Sequence, residues 1–165
     1  MGMNLTKTAC LMALVCISQV VMGVGPSNPS PTKHREINRF MDGFHVDASK
    51  ASFNEYFNRF ADNGYFLGTD ASERWSVAEF KKYAKPHFDK GRGWTYIPVE
   101  RNIDREGNIA WFDEQLDNEK LGRCRGTGVL IRKNGKWKVL HYSLTLLIPN
   151  SIATEVGSLS IKAFP

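Results

Sequence analysis

The sequence predicts an α+β fold, on three observations. The first half of the chain carries apolar residues at helical spacing. The second half carries long alternating segments separated by turn signals. The strongest of those signals, Asn134-Gly135, joins two alternating segments as a hairpin. Helices first and an antiparallel meander after them is an α+β layout. Segments of roughly ten residues are long for strands, and long twisted strands suit a sheet that curls around the helices.

The folded part does not begin at residue 1. Lys7 precedes an apolar run over residues 9–17 that continues through Val20, Val21 and Met22, and Gly23 and Gly25 then stand before Pro26. This order of charge, apolar run and small residues predicts a secretory signal peptide over residues 1–23. Ser18 and Gln19 interrupt the run, which falls short of a comfortable membrane span of about 20 residues; no stable span is expected once the leader is cleaved. Residues 24–33 hold three prolines with Ser and Asn and read as a flexible linker. The domain is expected over residues 34–150, with a weakly patterned tail over 151–165.

Within the domain, Ile37, Phe40, Met41 and Phe44 mark one face of a first helix. Asp47 and Ser49 offer caps for a second, with Phe53, Tyr56, Phe57, Phe60 and Ala61 on its face and Asn63-Gly64 as its end. Tyr65-Phe66-Leu67 is a short strand, broken by Gly68-Thr69-Asp70. Asp70 with Glu73, and Ser76 with Glu79, have capping-box spacing and predict a short helix and then a longer one. The longer one shows Phe80, Tyr83, Ala84, His87 and Phe88 on one face, with a kink or restart at Pro86. Strands follow over 94–103, 109–118, 123–133 and 136–148. An unbulged hairpin at Asn134-Gly135 sets Trp137 opposite Arg132, Val139 opposite Leu130 and His141 opposite Gly128, and pairs Tyr142 with Thr127 on the other face. Both faces then carry apolar residues, and a homodimer is the simplest cover for the outer one.

The 165 residues suffice for one domain with a real core, and the net charge of +5 is mild for a nucleic-acid binder. Cleavage of the leader removes Lys7, Cys10 and Cys16, lowering the charge to +4 and leaving Cys124 as the one thiol. An exported chain without disulfides fits a periplasm or secretion of a protein held by its core alone. The cations from Arg123 to Lys138 read as a solvated hairpin tip. No metal is expected, because His34, His45, His87 and His141 form no close pair. No cofactor is expected either, since neither a phosphate-binding loop nor a G-x-S-x-G motif occurs.

Several segments carry a resemblance. Residues 53–57 (FNEYF), 66–70 (FLGTD) and 73–75 (ERW) resemble the helical opening of SnoaL-like proteins. Residues 110–114 (AWFDE) and 125–130 (RGTGVL) resemble the middle strands, and 135–139 (GKWKV) with 141–143 (HYS) the final strand. In order and spacing they identify the chain, over residues 37–150, as similar to the nuclear transport factor 2-like superfamily. The resemblance implies a cone-shaped, cystatin-like architecture, a curved antiparallel sheet around N-terminal helices, with a pocket at its open end and a habit of dimerising. It does not imply one activity, because function resides in the site and not the fold.

On that reading the pocket is expected to bind a small, largely apolar ligand, lined by Trp75, Asp113, Arg125, His141 and Tyr142. Asp113 and His141 are the candidate general bases of an isomerase, cyclase or hydrolase. Asp113 alternatively pairs with Arg123 or Arg125 on the next strand. Arg125, beside Gly126 and Gly128, either holds a ligand carboxylate or points outward and pairs with Glu114. Trp75 is a wall or lid, or packing for its own segment; Cys124 is a small buried hydrophobe. A protein-interaction module using the outer sheet face is the third possibility.

Overall fold

The computed structural model describes residues 34–164; the expected leader and linker lie outside them. Helix α1 (Arg35–Ser49) and the short α2 (Phe53–Asn58) precede strands β1 (Phe60–Leu67) and β2 (Arg74–Ser76). Helix α3 (Val77–Phe88) then leads into four long strands, β3 (Ile97–Glu106), β4 (Ile109–Asn118), β5 (Gly122–Lys133) and β6 (Lys136–Leu146). A single 3-10 turn, Asn150–Ile152, opens into α4 (Ala153–Ala163). One six-stranded sheet runs in the order β2-β1-β6-β5-β4-β3, antiparallel throughout except that β1 and β6 are parallel. The sheet is open and curved, and α1, α2 and α3 pack on its inner face, as the α+β reading expects.

Local sequence explains most of these elements. In α1, Ile37, Met41, Phe44 and Ala48 return to one face and are buried against the sheet. Removing a large apolar side chain of this kind from water is worth about 1.5–3 kcal/mol. The N-terminus of α3 carries the expected capping box: the Ser76 hydroxyl accepts from the Glu79 N–H and the Glu79 carboxylate accepts from the Ser76 N–H. Asn134 and Gly135 both have positive φ, 50° and 75°, as a two-residue hairpin turn requires.

Several expectations are corrected. The second helix ends at Asn58, and Phe60 and Ala61 belong to β1. Asn63-Gly64 therefore lies inside a strand, where a Cβ on Gly64 would stand 2.9 Å from the Val139 carbonyl oxygen. Asp47 and Ser49 lie within α1 and cap nothing in α2. No short helix forms after Asp70. Its carboxylate is taken by Ser72 (2.8 Å from the N–H), and the chain turns straight into β2. Helix α3 passes through Pro86 without a break, since Pro86 lies in the last turn, where little of the hydrogen-bond ladder remains to be lost. Finally, the tail is helical from Ala153 to Ala163, although it buries no residue.

The decisive departure is a bulge in β6. Leu130 faces Val139 as expected, but Val129 faces His141, so Leu140 is an extra residue. The same interruption separates Phe60 from Tyr65 in the pairing of β1 with β6. Beyond it the register moves by one, and Tyr142 stands opposite Gly128 rather than Thr127. Trp137, Val139, Tyr142 and Leu144 all point inward as a result and are buried.

Candidate functional site

The inner face of the sheet carries Ala110, Phe112, Glu114 and Leu116 from β4, all buried. Glu114 is thus a carboxylate in an apolar phase, with 0 % of its surface exposed. Three donors hold it. His45 Nε2 lies 2.8 Å from Oε1, the Tyr142 hydroxyl donates to the same oxygen at 3.1 Å, and Arg101 Nε donates to Oε2 at 2.8 Å. Arg101 also reaches the Asp42 carboxylate (2.8 Å) and the Asn38 side chain (3.1 Å), tying β3 to α1. Its Nη2 is buried and has no partner among the described residues. Burial pushes the Glu114 carboxyl up, but the His45 hydrogen bond and charge, with Arg101, more than offset this and hold it below the usual glutamate range. Burial, reinforced by the Glu114 charge, keeps the Tyr142 phenol protonated well beyond its ordinary range.

Two glycines make this cluster fit. A Cβ on Gly126 would fall 2.3 Å from the Tyr142 hydroxyl oxygen and 3.0 Å from Glu114 Oε1. One on Gly128 would meet the Phe112 ring at 2.7 Å. The room these glycines leave on the inner face is filled by Tyr142, Glu114 and Phe112.

Above the cluster, at the open end, lies an aromatic cleft of about 170 Å³. Its walls are Phe66, Trp75, Phe80, Tyr83, Trp94 and Tyr96, with Leu144; Gly68, Thr69 and Glu73 form the rim. Phe66 stacks on Phe80 at 4.1 Å and Trp75 on Tyr83 at 4.6 Å. Phe66, Trp94, Tyr96 and Leu144 also wall a deeper void that ends on His45 and Tyr142. That void holds about 10 Å³, the room of a single water. Trp94 and Tyr96 thus stand between the cleft and the buried cluster. They sit on the segment between α3 and β3, outside any helix or strand.

Of the five expected lining residues, the structure brings Trp75 to the cleft and Tyr142 to its inner end. Asp113, Arg125 and His141 lie elsewhere, on the outer face. Asp113 and Arg125 are exposed and His141 is half-buried. Asp113 stands opposite Thr127, Arg125 opposite Gln115 and Thr145, and His141 opposite Val129. The reason is strand alternation for Asp113 and Arg125, and the Leu140 bulge for His141. Neither expected ion pair forms: Asp113 accepts from Asn102 (3.3 Å), while Arg123 pairs with Asp117 (2.7 Å). Arg125 makes no pair with Glu114, whose oxygens are turned inward to His45, Tyr142 and Arg101. Cys124 is fully buried, as expected.

His45, Glu114 and Arg101 are missed by motif reading, although two of them leave a signal. His45 follows Met41 by four residues and Ile37 by eight, on the buried stripe of α1, and Glu114 interrupts the inward series Ala110, Phe112, Leu116. Among the described residues no group of His, Cys, Asp and Glu could hold a metal, and no helix is long and apolar enough to cross a membrane.

A curved sheet closed by helices at one end and by an aromatic cleft at the other defines a protein of nuclear transport factor 2-like, cystatin-like fold. Solved structures agree. One is an NTF2-like protein of unknown function from Pseudomonas putida KT2440 (TM-score 0.62, 11% identity, 73% of this chain and 91% of that one). Another is a protein of unknown function with a cystatin-like fold from Nostoc punctiforme PCC 73102 (0.58, 18%, 70% and 91%). A third is a candidate ketosteroid isomerase from Shewanella frigidimarina NCIMB 400 (0.53, 20%, 64% and 91%). At these identities the likeness is one of fold. The SnoaL-like domain model matches residues 37–149, and the chain belongs to that family. A comparison with curated proteins finds no match.

Proposed function

We propose that this is an exported binding protein whose aromatic cleft takes a small, largely apolar ligand. The cleft itself carries the reading: apolar aromatic walls around an open space, with a few polar groups at the rim, are what a small-molecule site requires. The interior below is packed, so the ligand stays in the cleft unless Trp94 and Tyr96 swing aside. Export rests on the leader-like residues 1–23. Sequencing the N-terminus of the protein recovered from its host tests it, with a start near residue 24 expected. A second copy is the proposed partner, seated on the outer sheet face where Trp111 lies 45% exposed beside Val129 and Ile131.

Native mass spectrometry of the protein from its own host, followed by gentle denaturation, tests the ligand. A discrete extra mass that Trp75→Ala abolishes is expected. A bare chain whose Trp75 and Trp94 indole resonances ignore a panel of apolar small molecules would overturn the reading.

A second reading rests on the buried cluster, namely an enzyme of isomerase, cyclase or hydrolase type with His45 as general base. An ionised carboxylate only accepts, so Glu114 fixes the proton on His45 Nε2 and orients the ring, the arrangement that prepares an imidazole as a base. Glu114, already held by three donors, is a poor base itself. Recovery of the ligand chemically altered on incubation, as a changed mass for a hydrolysis or a changed retention time at the same mass for an isomerisation or cyclisation, and unaltered with His45→Gln, would favour this reading.

A further inference from the structure

The charge of the cleft narrows the class of ligand, an inference that rests on the binding reading above. Among the described residues Lys, Arg and His are absent from its lining, and Glu73 is its one carboxylate. Glu73 is half-buried, and its carboxylate accepts a long hydrogen bond from the Asp70 N–H at 3.3 Å. Among the described residues no cation pairs with it. Arg74, next in sequence, places its guanidinium over the Tyr65 ring at 4.2 Å instead. Gly68 is what lets the carboxylate lie there, since a Cβ on Gly68 would fall 2.0 Å from Glu73 Oε2. The charge is felt across the cleft: burial first, then the Cys124 and Glu73 charges, push the Tyr96 phenol up to about 12.

An anion entering this space meets a carboxylate and the negative faces of aromatic rings. A neutral apolar molecule gains burial alone. An organic cation gains the same burial, the attraction of the rings, and an opposite charge in a partly desolvated setting. We infer that the cleft binds an organic cation, an alkyl- or arylamine or a quaternary ammonium, with its charged end at Glu73 and its apolar body between Trp75 and Tyr96.

Two probes of one shape test this: phenyltrimethylammonium, and tert-butylbenzene, in which carbon replaces the charged nitrogen. Binding to the purified protein is followed at pH 7 by the indole resonances of Trp75 and Trp94. The cation is expected to bind at least about tenfold more tightly, and Glu73→Gln to bring the two within about twofold without loss of thermal stability. Equal binding of both probes overturns the cation inference and leaves the apolar cleft standing. A cation preference that survives Glu73→Gln overturns the assignment to this site. Binding of neither probe overturns both the inference and the binding reading. Gly68→Ala supplies a second variant: its new methyl would fall 2.0 Å from Glu73 Oε2 and 3.0 Å from Glu73 Cβ, which displaces the carboxylate, so the preference should fall.

Discussion

At the scale of single residues, Glu114 is the one buried carboxylate among the described residues, and it depends on its neighbours for every compensating contact. Removing one partner of a buried ion pair strands the other, and Glu114→Ala leaves Arg101 and His45 facing an apolar void. Urea denaturation is expected to show a loss of about 3–5 kcal/mol, with Glu114→Gln losing less in the same direction. The pH dependence follows from the depressed carboxyl. A group held below its unfolded value stabilises the native state above that value, and the contribution disappears as pH falls through the folded one. Stability should therefore be insensitive to this group above about pH 5 and should drop below the ordinary glutamate value of about 4.3. Comparing urea midpoints at pH 7 and pH 3 for the wild type and Glu114→Gln isolates the term, because the variant should lack it. Gly126→Ala tests the same cluster by volume. Tyr142 is a rigid ring and cannot yield as a lysine tip would, so a cost of about 1–3 kcal/mol is expected.

At the scale of elements, β6 and α4 make opposite predictions. The extra residue Leu140 puts both Trp137-Val139 and Tyr142-Leu144 on the inner face. Deleting it leaves Val139 opposite Leu130, His141 opposite Val129 and Tyr142 opposite Gly128, so strict alternation by itself keeps Tyr142 and Leu144 inward. Deleting both Leu140 and His141 turns them toward solvent. The single deletion should retain cooperative thermal unfolding, and the double deletion should lose it. Helix α4 buries nothing and leaves Leu159 and Ile161 exposed. Truncation after residue 152 should leave the melting temperature of the domain within error, because no core contact is removed.

At the scale of the whole molecule, the outer sheet face bears on assembly. The bulge withdraws Tyr142 and Leu144 from that face, so part of the apolar surface that an unbulged register assigns to it is gone. Trp111, with Val129 and Ile131 across the ladder, remains. Light scattering on the eluting protein should give twice the chain mass, and Trp111→Glu should give the monomer with an unchanged melting temperature. A wild-type monomer would remove the proposed partner and leave the cleft untouched.

Periodicity in the sequence is sufficient for the α+β class, for α1, for the capping box of α3 and for the Asn134-Gly135 hairpin, because each depends on residues within a few positions of one another. It also places Trp75 at the cleft, and Tyr142 at the deeper void beneath it. It misassigns Asp113, Arg125 and His141, and it takes Phe60 for a helix, for one physical reason. Which face of a strand is buried, and whether an apolar run becomes helix or strand, depends on what packs against it from elsewhere in the chain. Phe60 becomes a strand because β6 offers Val139 as a parallel partner. His45 and Glu114, 69 residues apart, become one cluster only when α1 lies on the inner face of β4. The chemistry of the site is a property of that meeting, and only the tertiary structure decides it.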